Sequence, residues 1–197
     1  MIITIDGKSW SKKSRVAEQL ADKLGIQVFS SGWVVRYITK LYLEYQRSGY
    51  NSDTAVAKAL AVVNTVDINT IYSEELKTLE IERTMKKVVS YADVLPESRY
   101  IMQKYAFNRN MVIDGRKSFE LFPEAVCKFY FEASKEERAS LYAKVMGVSF
   151  LDALSYIRYR DSYEINVDIQ EDLIILNPFQ YDEQELLDFM LERSGHL

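Results

Sequence analysis

Five short apolar runs stand out along the chain. The first passes directly into Asp6-Gly7, as a buried parallel strand does before a loop. The fourth, CKFYF, is rich in aromatic residues. The runs cover residues 2–5, 26–29, 111–113, 127–131 and 173–176. We predict a β-strand for each of them.

Between the strands, apolar residues recur every three or four positions, which predicts helices. The predicted helices cover residues 14–24, 33–47, 96–108, 134–146, 149–166 and 182–193, with two or three more between 54 and 91. Strands that alternate with helices indicate an α/β fold, in which helices cover both faces of a parallel sheet. Ligands of such folds bind at the carboxyl ends of the strands, where Gly7, Ser30 and Asp114 fall.

The loop after the first strand carries most of a phosphate-binding motif. Its pattern is G-x-x-x-x-G-K-[ST], and Gly7, Lys13 and Ser14 fit it. Lys12 stands where the pattern has its second glycine. In such a loop Lys13 would reach the terminal phosphates and the Ser14 hydroxyl would hold Mg²⁺. The alternative is a plain strand-to-helix turn with its lysines in solvent.

Arginines follow the predicted strands repeatedly, at positions 36, 116 and 138, with two more at 158 and 160 on the helix before the last strand. The planar guanidinium suits phosphate recognition, so arginines that converge at one sheet edge would form an anion pocket. Taken singly, each is more typical of a solvated helix arginine, but the placement of the whole set at strand ends favours the pocket.

Composition excludes several classes of protein. A length of 197 residues predicts one domain, and a net charge of −4 argues against a nucleic-acid-binding module. One cysteine allows neither an internal disulfide nor a multi-cysteine zinc site, and the one histidine, His196, falls in the C-terminal tail. No signal peptide or membrane span is apparent, so we expect a cytoplasmic protein without membrane partners.

Seven segments carry a family resemblance. In chain order they are residues 5–14 (IDGKSWSKKS), 30–36 (SSGWVVR), 95–99 (LPESR), 114–117 (DGRK), 122–125 (FPEA), 133–139 (ASKEERA) and 160–167 (RDSYEINV). Together they resemble the cytidylate kinases, a family of nucleoside monophosphate kinases, over nearly the whole chain. ASKEERA is the most complete match.

The resemblance implies a three-layer α-β-α P-loop kinase fold, with a five-stranded parallel sheet flanked by helices. It implies a single domain over residues 1–197, with a helical region at about 37–95 that binds the monophosphate and a lid at about 147–167. The implied reaction moves the γ-phosphoryl group of ATP, with Mg²⁺, to a nucleoside monophosphate, CMP or dCMP being favoured. The family also implies a monomer.

The resemblance also assigns the site residues. The implied catalytic residues are Lys13, Arg138 and Arg160. The implied ATP-binding residues are Gly7, Ser11, Lys12, Lys13 and Ser14. Ser14 would also bind the metal ion. The substrate would be held by Arg36, Asp114, Arg116 and Glu164. The departures from the family pattern are Ser30, Lys12, Lys117 and Val167.

A rival interpretation is a kinase-fold protein that binds nucleotide or a protein partner without turnover, since fold and function are separable. The 14 tyrosines favour a partner-binding surface, although at helical spacing they also suit core packing.

Overall fold

A computed structural model describes residues 1–71, 74–76, 78–162, 167 and 171–195. The chain forms two compact units. The first comprises Met1–Phe29 and Arg109–Leu197, and the second comprises Ser30–Asn108.

The first unit is built on a five-stranded sheet, in which all five predicted strands are present. Their bounds are β1 Ile2–Gly7, β2 Gln27–Ser30, β3 Met111–Gly115, β4 Cys127–Phe131 and β5 Ile174–Leu176. The strand order is β2-β3-β1-β4-β5, and β1 pairs in parallel with both β3 and β4. Every residue of β1 is buried, because a central parallel strand is covered on both faces. The predicted three-layer α/β fold is confirmed.

Among the residues that the structure describes, five helices belong to this unit. They are α1 Lys13–Leu24, α7 Ser118–Leu121, α8 Lys135–Met146, α9 Phe150–Asp161 and α10 Glu183–Arg193. Apolar residues of α1 and α10 pack with Ile3, Ile5 and Phe129 of the sheet in one core. A second cluster joins α8 to α9. The predicted helix towards Asn166 extends beyond the observed end of α9, which ends at Asp161 with Ser162 as its cap. Residues 163–166 lie outside the described part of the chain.

The second unit is helical. Its elements are α2 Ser31–Arg47, α3 Ser52–Val63, α4 Ile68–Ile71, a 3₁₀ turn Glu74–Leu76, α5 Leu79–Val89 and α6 Val94–Ala106. The long helix α2 packs against α3, α5 and α6. Tyr37 and Tyr42 of α2 are buried, so these two tyrosines serve packing. Among the described residues, no helix is both long enough and apolar enough to cross a bilayer.

The short helix α7 was not predicted, and a buried carboxylate explains it. Asp6 accepts hydrogen bonds from the backbone N–H of Ser118 at 2.8 Å, from the Ser118 hydroxyl at 2.8 Å and from the backbone N–H of Phe119 at 3.0 Å. These donors lie in the first turn of α7, whose N–H groups need an acceptor outside the helix. Burial outweighs these bonds and raises the pKa of Asp6 to about 6.

The raised pKa of Asp6 predicts a pH dependence of stability. The folded state holds the proton more tightly than the unfolded chain, whose ordinary carboxyl pKa is 3.8. The contribution of Asp6 to the free energy of unfolding therefore falls as the pH rises, by roughly 2 kcal/mol between pH 4.5 and 7. Urea denaturation of the wild type and Asp6→Asn at both pH values isolates this contribution. An identical pH dependence in the two proteins would contradict it.

Candidate active site

The loop between β1 and α1 begins at a glycine that is required by close packing. Gly7 has a φ of +150°, and a Cβ added there would lie 2.6 Å from the carbonyl oxygen of Phe131 on β4. Contacts that short force the backbone apart, so the first glycine of the motif cannot be replaced without a shift of the strand. The close packing is a structural reason for a glycine at this position.

Lys12 adopts the backbone conformation that a glycine would adopt readily. Its φ is +64°, a left-handed conformation that costs a non-glycine residue roughly 1–2 kcal/mol. Its Nζ donates a hydrogen bond to the carbonyl oxygen of Pro178 at 3.0 Å and lies 4.3 Å from the centre of the Phe179 ring. Burial, and then the neighbouring Arg15, lower the pKa of this ammonium. These contacts with the segment after β5 offset the backbone strain.

Trp10 is a second left-handed residue in the same loop, with a φ of +67°. Its ring meets Tyr142 of α8 edge to face at a centroid distance of 4.8 Å, and Tyr142 stacks on Tyr156 of α9 at 4.3 Å. Two side chains therefore hold the loop in place. Trp10 contacts α8, and Lys12 contacts the segment that follows β5. Trp10 was not predicted as a site residue, although so large a side chain is conspicuous in a phosphate-binding loop.

Two substitutions at Lys12 separate backbone strain from side-chain contact. Lys12→Gly and Lys12→Ala both lose the contacts with Pro178 and Phe179, but only glycine relieves the left-handed strain. We expect Lys12→Gly to be more stable than Lys12→Ala by about 1 kcal/mol in urea denaturation. At exposed Lys23, inside the same helix, the order should reverse, because alanine is the better helix former there. The same order at both positions would argue against strain at Lys12.

Three predicted residues of the phosphate loop lie close to one another and to Asp114. Lys13 is buried, with its Nζ 3.2 Å from the carbonyl oxygen of Lys8 and 4.0 Å from Oδ1 of Asp114. The Ser14 hydroxyl donates to Oδ2 of Asp114 at 2.6 Å. The Ser11 hydroxyl donates to the same Lys8 carbonyl at 2.9 Å, which tightens the turn.

The pair formed by Ser14 and Asp114 fits a magnesium ion. Mg²⁺ takes oxygen ligands, and in nucleotide sites it is bound by one or two protein groups together with phosphates and water. Within the described part of the chain, no three carboxylate, histidine or cysteine side chains could hold a metal by themselves. The residues present therefore suit an ion that arrives with a phosphate ligand.

Three of the predicted arginines meet at Ser9 of the loop. Nη2 of Arg116 and Nη2 of Arg160 donate to the Ser9 hydroxyl at 2.9 and 3.0 Å, and Nη1 of Arg138 donates to the Ser9 carbonyl at 3.2 Å. Arg138 and Arg160 are buried, which is rare for arginine. The structure thus brings together cations from the residue after β3, from α8 and from α9 at one loop.

Arg138 is held by a carboxylate, Asp161, for which the motifs predicted no role. Its Nη1 and Nη2 donate to the two carboxylate oxygens of Asp161 at 2.9 and 2.8 Å. Lys8 approaches the same carboxylate at 3.8 Å. The bidentate pair fixes the plane of the Arg138 guanidinium.

The helix that carries Arg138 also supports the segment that anchors Lys12. Ser134 and Glu137 form a reciprocal capping box at the start of α8. Glu137 accepts a hydrogen bond from the Asn177 side chain at 3.0 Å, and the Asn177 oxygen accepts one from the backbone N–H of Phe179 at 3.0 Å. The ASKEERA segment therefore orders both Arg138 and the aromatic ring beneath Lys12.

The two other predicted site residues are Arg36 and Glu164. Arg36 belongs to the second unit, where its Nε donates to Oε1 of Glu82 at 2.8 Å. Glu164 lies outside the described residues. Val167 packs with a buried cluster that contains Phe119 and Tyr130, so an apolar contact stands where the family pattern has an arginine.

Comparison with known proteins agrees with the sequence motifs. A model of the cytidylate kinase family matches residues 3–171. A cytidylate kinase of Thermosipho africanus is 30% identical over 208 residues, which cover 96% of this chain and 92% of that protein. Cytidylate kinase 1 of Haemophilus influenzae is 27% identical over 213 residues, covering 95% and 90%.

Solved structures show the same fold at low identity. An uncharacterized protein from Eubacterium ventriosum has a TM-score of 0.58 at 14% identity, covering 100% of this chain and 99% of its own. A gluconokinase from Sinorhizobium meliloti has a TM-score of 0.56 at 13% identity, covering 98% and 90%. The family model spans most of the chain and the relatives cover nearly all of it, so the chain belongs to the cytidylate kinase family.

Proposed function

We propose that this protein is a nucleoside monophosphate kinase that transfers the γ-phosphoryl group of ATP to CMP or dCMP, with Mg²⁺. The observation that carries the proposal is the group of side chains at the phosphate loop. Lys13 and Ser14 lie beside Asp114, while Arg116 and Arg160 donate to Ser9 of the same loop. The names of the relatives support CMP as the acceptor.

On the donor side, Lys13 and the N–H groups at the start of α1 would bind the phosphates of ATP. The N-terminus of a helix favours negative charge, and the buried lysine adds a full positive charge next to it. Ser14 and Asp114 would hold Mg²⁺, which when bound neutralises charge on the donor phosphates. The hydrogen bond from Ser14 to Asp114 places Asp114 with the residues of the donor side. We therefore propose that Asp114 helps to hold Mg²⁺ rather than to bind the substrate.

During transfer, the protein's task is to hold donor and acceptor in line and to neutralise charge on the moving phosphoryl group. Arg116, Arg138 and Arg160 would supply that positive charge, with Arg138 kept in place by Asp161. Arg36, in the second unit, would bind the acceptor phosphate. We propose that residues of about 37–95 recognise the acceptor and that those of about 147–167 act as the lid. A cytoplasmic monomer stays a prediction.

Calorimetry followed by a turnover assay tests this function. The protein is titrated with Mg·ATP and separately with CMP, UMP, AMP and GMP, and ADP release is then measured for each pair that binds. We expect binding of both ligands and ADP release with CMP. Binding of CMP without ADP release would instead support a kinase-fold protein that has lost turnover. A faster reaction with another monophosphate would show that this monophosphate, and not CMP, is the preferred acceptor.

A further inference from the structure

The Arg36 guanidinium has one edge occupied and one edge open. Nε donates to Oε1 of Glu82 at 2.8 Å, and Nη2 lies 2.7 Å from the same oxygen. Among the described residues, no group accepts a hydrogen bond from Nη1 of Arg36. An arginine has five N–H donors in a fixed plane, so the edge formed by Nη1 and Nη2 remains able to bind two oxygens of one anion.

A glycine keeps this open edge uncovered. Gly32 lies one helical turn before Arg36 in the first turn of α2, and a Cβ added to it would lie 3.0 Å from Nη1 of Arg36. Any larger residue would crowd the nitrogen that the Glu82 contact leaves open. An anion at Nη1 would also lie near the N-terminus of this 17-residue helix, whose dipole favours negative charge.

We propose that Glu82 is a positioning residue for the acceptor phosphate, and that Gly32 gives that phosphate room. Glu82 holds the Nε edge of Arg36, so that the Nη1 and Nη2 edge is kept in one orientation. An arginine side chain otherwise has several freely rotating bonds, and fixing it before binding lowers the entropy lost when the phosphate binds. The ligand that this edge would bind is a phosphate monoester. That this ligand is CMP rests on the proposed function.

Two variants of Glu82 test the role of its hydrogen bond. Glu82→Ala removes the acceptor, and we expect the Kd for CMP, measured by calorimetry, to rise about tenfold. Glu82→Gln keeps an oxygen that can accept from Nε, so its Kd should stay within about threefold of the wild type. In the kinase assay, Glu82→Ala should raise the KM for CMP and leave kcat within about threefold, since ground state and transition state use the same contact.

The second unit offers a matched control. Glu80 lies on the same helix and pairs with Arg47 in an exposed contact of 2.6 Å. Glu80→Ala removes a comparable ion pair and should leave the Kd for CMP unchanged. If Glu80→Ala and Glu82→Ala raised the Kd equally, a general effect on the helix would replace our proposal.

Gly32→Ala provides a variant that does not weaken the helix. Alanine is the better helix former, so the unit should unfold at the same or a higher urea concentration, yet the Kd for CMP should rise. Unchanged affinity in this variant would overturn the role of Gly32. A lower Kd in Glu82→Ala would overturn the role of Glu82, because it would mean that the carboxylate competes with the phosphate.

The same titrations distinguish failure of this inference from failure of the proposed function. CMP binding that responds to Glu82 and Gly32 as expected, without any ADP release, would refute only the kinase activity. A wild-type protein that binds neither CMP nor inorganic phosphate would refute both. Kinase activity with a KM for CMP that is insensitive to both Glu82→Ala and Gly32→Ala would refute only the inference.

Discussion

Lys13→Met is expected to lower the kcat for phosphoryl transfer by about 10³ or more. The lysine is buried at the start of α1, where water cannot replace its charge, and its Nζ already faces a carbonyl and the Asp114 carboxylate. In the proposed reaction its positive charge acts on phosphate oxygens as charge moves between donor and acceptor. Preorganised cations of this kind usually contribute several orders of magnitude to the rate.

The measurement is ADP release at saturating Mg·ATP and CMP, with urea denaturation to confirm that the variant is folded. Lys23→Met is the control, because Lys23 is an exposed lysine in the last turn of the same helix. It should keep the wild-type rate. A Lys13→Met protein with a kcat within tenfold of the wild type would show that the phosphate loop does not perform the reaction.

The strands could be predicted because their signal is local. A central parallel strand is apolar along its whole length, and Ile3 and Ile5 are fully buried in β1 as that pattern requires. The four-residue helix α7 has no such signal. It is stabilised by Asp6, which lies 112 residues earlier in the chain. No window around Ser118 contains that carboxylate.

The phosphate loop is a second place where the structure depends on residues that are distant in the sequence. The sequence identifies Lys12 as the departure from the motif, but the groups that support it come from the opposite end of the chain. Its hydrogen-bond acceptor, Pro178, is 166 positions away. Motif spacing can show that a glycine is absent. It cannot show that a distant carbonyl and ring stabilise the residue that replaced it.

The arginines were predicted from their residue type and position, and the structure adds their partners. Arg116 and Arg160 meet at Ser9, but Arg36 pairs with Glu82 in the second unit. Neither Ser9 nor Glu82 carries a distinctive pattern, since serine and glutamate are common on loops and helices. Such residues are recognised only once their contacts are known.

Arg138→Met is expected to cost roughly 3–5 kcal/mol in the free energy of unfolding. Arg138 is 1% exposed and donates two hydrogen bonds to Asp161, whose side chain is 9% exposed. Methionine fills much of the volume but leaves a carboxylate in a site with little water, and an uncompensated buried charge is the costly product of such a substitution. Lys8 lies 3.8 Å from Asp161, farther than the two Arg138 nitrogens, and its side chain is 38% exposed, so it compensates only part of that charge.

A double-mutant cycle separates the pair from its surroundings. Asp161→Asn removes the charge that Arg138→Met leaves behind, so the double variant should be more stable than the sum of the single losses predicts, by about 1–3 kcal/mol. The exposed pair of Arg15 and Glu183 is the control in the same unit, and Arg15→Met should cost less than about 1 kcal/mol. Equal losses for Arg138→Met and Arg15→Met in urea denaturation would mean that burial does not strengthen the pair. A large loss confined to Arg138 would mean that one ion pair both stabilises the contact between α8 and α9 and holds a proposed catalytic guanidinium at the phosphate loop.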